Sequence, residues 1–132
     1  MKKIILTIVS IFVFSTIQGQ TINDNLNTII EAKPNGSLST TKPYTYSVIE
    51  DVTNTLVVYF FDENLNCNQI VIVPPNAISR QLWIESVNER WVTIDSTNWK
   101  FYKDDGTVLV MFMDYLEDTP PIFIIREEKS IN

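Results

Sequence analysis

The chain has 132 residues, with 10 Lys and Arg against 16 Asp and Glu, one cysteine and no histidine. The missing imidazole removes Ser-His-Asp and Cys-His nucleophile activation and most catalytic zinc sites, and three glycines cannot build a Gly-rich phosphate loop. An acidic chain without a basic cluster is also unsuited to nucleic acid or to anionic lipid, both of which are held by Lys and Arg.

Residues 1–19 read as a cleavable export signal. Lys2 and Lys3 precede an apolar run from Ile4 to Phe14, and a short polar exit ends at Gly19, where a signal peptidase finds its small residue. The apolar run, of about 11 residues, falls short of the roughly 20 needed to span a bilayer. Cleavage after Gly19 leaves residues 20–132 as a single domain, loses Lys2 and Lys3, and sets 8 basic residues against 16 acidic ones, a net charge of −8. No membrane span remains, and the expected location is the periplasm or the extracellular space. The lysine-led leader that ends just before Gln20 resembles those of small exported proteins of the Bacteroidota; the resemblance implies export and no activity.

From Thr21 to Ala32, apolar residues Ile22, Leu26, Ile29 and Ile30 recur at helical spacing, with Thr21 placed to cap and Pro34-Asn35-Gly36 closing the segment. The stretch to Pro43 is rich in Ser, Thr, Gly and Pro and reads as a linker, so residues 20–43 are expected to form an N-terminal helix and its connection. Strands follow at Tyr44–Glu50, Leu56–Phe61 and Gln69–Val73, the last two joined by the turn-forming Asp62-Glu63-Asn64-Leu65-Asn66. Pro74-Pro75 stops the third strand.

Between Asn76 and Trp91 the period becomes helical, with Ile78, Leu82, Val87 and Trp91 near one stripe and Arg80, Glu85 and Glu89 away from it. Beyond the helix come a short apolar piece, Trp91–Ile94, then Asn98–Lys103, the turn Asp104-Asp105-Gly106, Thr107–Met113, and, after Asp118-Thr119-Pro120-Pro121, Ile122–Arg126. The expected fold is α+β: a two-layer antiparallel sheet of five to seven strands with an N-terminal and a central helix, in the order α-βββ-α-βββ.

Leu56–Phe61, Val108–Met113 and Ile122–Ile125 are apolar on both faces, whereas a sheet wetted on one side alternates. Either the N-terminal helix or strong curvature covers the second face, or that face receives a protein, a second copy of the chain included, or an apolar small molecule.

Four aromatics, Trp83, Trp99, Tyr102 and Tyr115, are candidates for a ligand platform, set against plain core packing. Asp62, Asn64 and Asn66 reproduce the first alternating oxygens of a calcium loop, but Cys67 stands where glycine is needed and Val73 where a bidentate Glu belongs, which leaves a hairpin turn as the simpler reading. Carboxylate pairs for glycan hydrolysis are Glu85 with Glu89, and Asp114 with Glu117 or Asp118; a solvated surface accounts for them as well. Cys67 lacks a basic partner in the sequence and reads as a buried thiol. No cofactor motif is present. The sequence therefore points first to an exported, nonenzymatic binding or interaction module, then to a small carboxylate-dependent glycan hydrolase, or to a structural component or inhibitor of another secreted protein.

Overall fold

Strand alternation, two helices and the turns between them assemble in the computed structural model, described over residues 21–50, 53–115 and 118–128, into one eight-stranded antiparallel sheet. The elements run α1 (Leu26–Ala32), β1 (Ser37–Leu38), β2 (Thr45–Glu50), β3 (Thr55–Phe61), β4 (Cys67–Val73), α2 (Ala77–Arg90), β5 (Val92–Asp95), β6 (Asn98–Tyr102), β7 (Val108–Asp114) and β8 (Ile122–Glu127). Strand order across the sheet is β1-β2-β3-β4-β8-β7-β6-β5. Two four-stranded meanders thus meet at a β4/β8 seam, where Val71 pairs with Ile124 and Ile70 with Ile125. The expected leader, residues 1–19, lies outside the described residues.

The α+β class stands, but the expected five to seven strands in the order α-βββ-α-βββ become eight in the order α-ββββ-α-ββββ. The additional N-terminal strand is β1, two residues inside the Ser/Thr/Pro-rich linker. Its pairing of Ser37 with Ser47 and Leu38 with Tyr46 comes from tertiary contact, since no local run of β-formers marks it. Tyr46 is the reason the linker folds back: its hydroxyl donates to the Lys33 carbonyl and accepts from the Gly36 N–H at 2.9 Å. A side chain at Gly36 would place its Cβ 2.3 Å from the Tyr46 ring, so only glycine lets the two approach.

The N-terminal helix begins later than periodicity suggests, at Leu26, because the preceding backbone is already committed. Asn23 N–H donates to Cys67 O, Cys67 N–H to Asp24 O and Leu26 N–H to Leu65 O at 2.7–2.9 Å, tying the segment to the β3–β4 turn. Asn25 rather than Thr21 then caps the helix, its side chain accepting from Asn27 N–H at 3.0 Å. α2 starts where expected, capped by the Asn76 side chain on Ser79 N–H at 2.8 Å.

The buried stripe of α2 is shifted from the expected one. Trp83, Ser86 and Val87 are buried, Arg80 is half-buried and Ile78 is 75% exposed. Trp83, not Leu82, takes the core position, edge-on to Phe123 with centroids 6.0 Å apart, and this rotates the helix by about one residue. Trp91 packs on Phe101 at 5.3 Å and the Trp99 indole N–H donates to Asn88 Oδ1 at 2.7 Å, so α2 is anchored at both halves. Ile22, Leu26 and Ile29 join the same cluster as Tyr46, Tyr59, Ile70, Ile72, Met111, Phe123 and Ile125. Both helices therefore lie on one face of the sheet, here called the inner face.

Candidate functional site

Because paired residues in an antiparallel ladder point to the same side, register assigns every strand residue to a face. The inner face carries Tyr46, Val57, Tyr59, Ile70, Ile72, Met111, Phe123 and Ile125, all buried. The outer face runs in three rows. One is Ser47, Val58, Val71, Ile124, Phe112 and Asn98; the next is Thr45, Phe60, Gln69, Arg126, Val110 and Lys100; the third is Ile49, Leu56, Val73, Ile122 and Asp114.

Central strands β3, β4, β8 and β7 thus present an apolar outer surface, flanked by Thr45 and Ser47 on β2 and by Asn98 and Lys100 on β6. Among the described residues no helix or strand lies over this surface, since all eight strands belong to one sheet and both helices sit on the inner face. Its apolar members are half-buried, except Ile49, which is 59% exposed. The N-terminal helix, one of the two expected ways of covering this face, is thereby placed on the other side.

Charge on the outer face is sparse and local. The Arg126 guanidinium lies over the Phe112 ring, 4.9 Å from its centroid, a cation–π arrangement in the middle of the apolar rows. Lys100 pairs with Glu128 at 2.7 Å, and its hydrogen bond to that carboxylate raises the Lys100 pKa. At the β5 margin, Asp95 accepts from Asn98 Nδ2 at 2.9 Å, Thr97 N–H at 2.9 Å and Thr97 Oγ1 at 3.1 Å, and these donors, Asn98 first, hold its carboxyl below the ordinary range.

The aromatics singled out from sequence do not form one platform. Trp83 and Trp99 are core residues, 2% and 1% exposed, while Tyr102 and Tyr115 are exposed on separate segments. Tyr102 shares the outer face with Val108, its partner on β7, so it alone of the four adjoins the apolar rows through a ladder pairing. Periodicity misses Phe60, Phe112 and Arg126 as site residues; the signal that finds them is the two-sided apolar character of their strands.

Asp62, Asn64 and Asn66 form a turn: one Asp62 oxygen accepts from both Asn64 N–H and Asn66 N–H at 2.9 and 3.0 Å, and Leu65 takes a left-handed φ of 62°. Among the described residues no group of three or more His, Cys, Asp or Glu is placed to hold a metal. Glu85 and Glu89 are exposed on α2, Asp114 is half-buried at the end of β7, Asp118 is exposed, and Glu117 lies outside the described residues. A separate open groove of about 1200 Å³ lies at one end of the strands, where the β1–β2 loop meets the β3–β4 turn and the start of α1, and is lined by Leu26, Leu38, Pro43, Tyr44, Phe61 and Leu65 together with Lys42, Asp62 and Glu63. None of the four aromatics lines it.

Cys67 is fully buried, with its thiol facing Gln69 O at 3.6 Å, and burial pushes its pKa up to about 12. A folded-state pKa raised above the unfolded value of about 8.5 means that stability is unaffected while both states keep the proton. Above that pH the unfolded chain ionises first, and stability falls as pH rises toward 12, by at most about 1.4 kcal/mol per pH unit. Denaturant titrations at pH 8, 9 and 10 should show this slope, and Cys67→Ala should flatten it between pH 9 and 10; an unchanged slope would mean that Cys67 is not its source. Native protein should likewise resist thiol alkylation until denatured.

Comparison of the chain with family models, with curated proteins and with solved structures finds no match.

Proposed function

We propose that the chain is an exported, nonenzymatic interaction module whose working surface is the outer face of the sheet. The observation that carries this reading is the run of apolar residues on β3, β4, β8 and β7, with no helix or strand over it among the described residues. Water-exposed apolar patches of several hundred Å² are uncommon on proteins that work alone and mark places where something docks. The Arg126–Phe112 pair adds residue types over-represented at interface centres. Support for export comes from the leader pattern of residues 1–19, and the lack of histidine favours binding over acid–base catalysis.

The reading is tested on the outer face itself. Wild-type protein should self-associate or bind a hydrophobic dye, and Val71→Lys and Ile124→Lys, whose side chains leave the outer face, should abolish that behaviour while circular dichroism stays native. A wild-type chain that remains a monomer and ignores the dye overturns the proposal.

A further inference from the structure

We infer that the occupant of the outer face is a second copy of this chain, the two sheets stacking face to face about a two-fold axis; the inference rests on the reading of that face as the working surface. The first argument is size. Eight strands at about 4.8 Å spacing and about six residues at 3.3 Å each make a face of roughly 35 by 20 Å, near the 800 Å² per partner of a standard stable interface. Its four central strands supply most of the apolar part of that area, and Thr45 and Ser47 on β2 with Asn98 and Lys100 on β6 supply polar groups at its rim, the arrangement found in protein interfaces.

Self-complementarity is the second argument. The β4/β8 seam divides the sheet into two meanders, and the apolar centre is flanked on one side by Thr45 and Ser47 and on the other by Asn98 and Lys100. A two-fold axis along the seam lays β4 of one copy over β8 of the other and β3 over β7. Apolar rows then meet apolar rows, and the hydroxyl rim of β2 meets the amide and ammonium rim of β6. One patch serves both partners, as an isologous contact requires, and two sheets packed this way form an aligned sandwich with one shared interior.

Charge is the third argument. Most acidic residues of this chain lie off the outer face, on α1, α2 and the loops: Glu31, Glu85, Glu89, Asp104, Asp105 and Glu63 are all exposed there. The three outer rows hold Arg126, Asp114 and Lys100, whose ammonium is already paired with Glu128. Two acidic molecules can therefore approach through this face with few carboxylates opposed, and Arg126 of each copy comes to lie over Gln69 of the other, whose carboxamide oxygen can accept from the guanidinium.

The full chain, expressed with its leader and recovered after cellular processing, should sediment at twice the mass that mass spectrometry gives for one chain at tens of micromolar. Val71→Lys should raise the dimer dissociation constant about 100-fold or more, since it buries an ammonium in each apolar half, with far-UV dichroism unchanged. Ile124→Ser serves as a second, milder variant should the lysine disturb folding, and Thr93→Lys on the opposite face of β5 should leave the dimer intact. A wild-type monomer at about 100 μM that binds a hydrophobic dye would overturn the dimer and leave the proposed working surface standing, with an apolar small molecule as its occupant. A dye-silent monomer would sink both. A dimer indifferent to Val71→Lys and Ile124→Ser would place the contact elsewhere and overturn the inference.

Discussion

Ile70→Lys should leave the protein unable to fold, whereas Val71→Lys, one residue along the same strand, should fold normally. Ile70 is fully buried on the inner face between its ladder partners Tyr59 and Ile125. Replacing it forfeits about 2–5 kcal/mol of packing and leaves an ammonium in a core that holds no buried carboxylate among the described residues, a further cost of several kcal/mol. Against a typical total stability of about 5–15 kcal/mol, that is most or all of the folding free energy. Val71 points to the outer face and is only half-buried, so its lysine can carry the charge into water. Soluble yield, far-UV dichroism and denaturant midpoints of the two variants decide the matter. The opposite ranking would mean that the inner and outer faces are reversed.

Trp99→Ala should lower stability by about 3–5 kcal/mol. Trp99 is among the largest fully buried side chains, its ring 6.2 Å from Phe123 by centroids, and its indole N–H is the link from β6 to Asn88 on α2. Asn88 also accepts from the Thr93 hydroxyl at 3.2 Å, so one amide oxygen joins the helix to β5 and β6. Asn88→Ala should therefore cost about 1–3 kcal/mol by leaving the indole N–H without its acceptor, and Trp99→Phe should fall between the two because it keeps most of the packing. Guanidinium titrations at neutral pH measure all three. A loss below about 1 kcal/mol for Trp99→Ala would show that this contact does not hold α2 to the sheet.

The ranking of these variants follows from features of differing legibility in the sequence. The β3–β4 hairpin was readable because Asp62-Glu63-Asn64-Leu65-Asn66 separates two β-branched runs, and the turn chemistry acts within a few residues. α2 was readable from the apolar period between Asn76 and Trp91, whereas its cap, the Asn76 side chain on Ser79 N–H, is seen only in the structure. Its exact stripe was not readable, because Leu82 and Trp83 are both large and apolar, and only contact with Phe123 selects Trp83. β1 was illegible: a two-residue strand has no period, and it exists because Tyr46 reaches back to the linker at Lys33 and Gly36.

The candidate site divides along the same line. Two-sided apolar character in Leu56–Phe61, Val108–Met113 and Ile122–Ile125 marks the second face as unusual from sequence alone. Residue type makes Trp83 and Trp99 candidates for a ligand platform or for the core, and the structure puts both in the core; residue type says nothing about which side of a sheet the helices cover. Phe112 and Arg126 are 14 positions apart in the chain, and their stacking exists only because β7 pairs with β8 at that register.

By itself the sequence determined the α+β class, the antiparallel hairpins, the central helix and the lack of histidine, since these depend on local period, turn residues and composition. Tertiary structure decided the rest: the eighth strand, the β4/β8 seam and the placement of both helices on one face. Long-range pairing and packing choose among arrangements that the local pattern allows equally. An apolar side chain on a strand must leave water, but whether a helix, a neighbouring strand or another molecule takes it up depends on where distant parts of the chain come to rest.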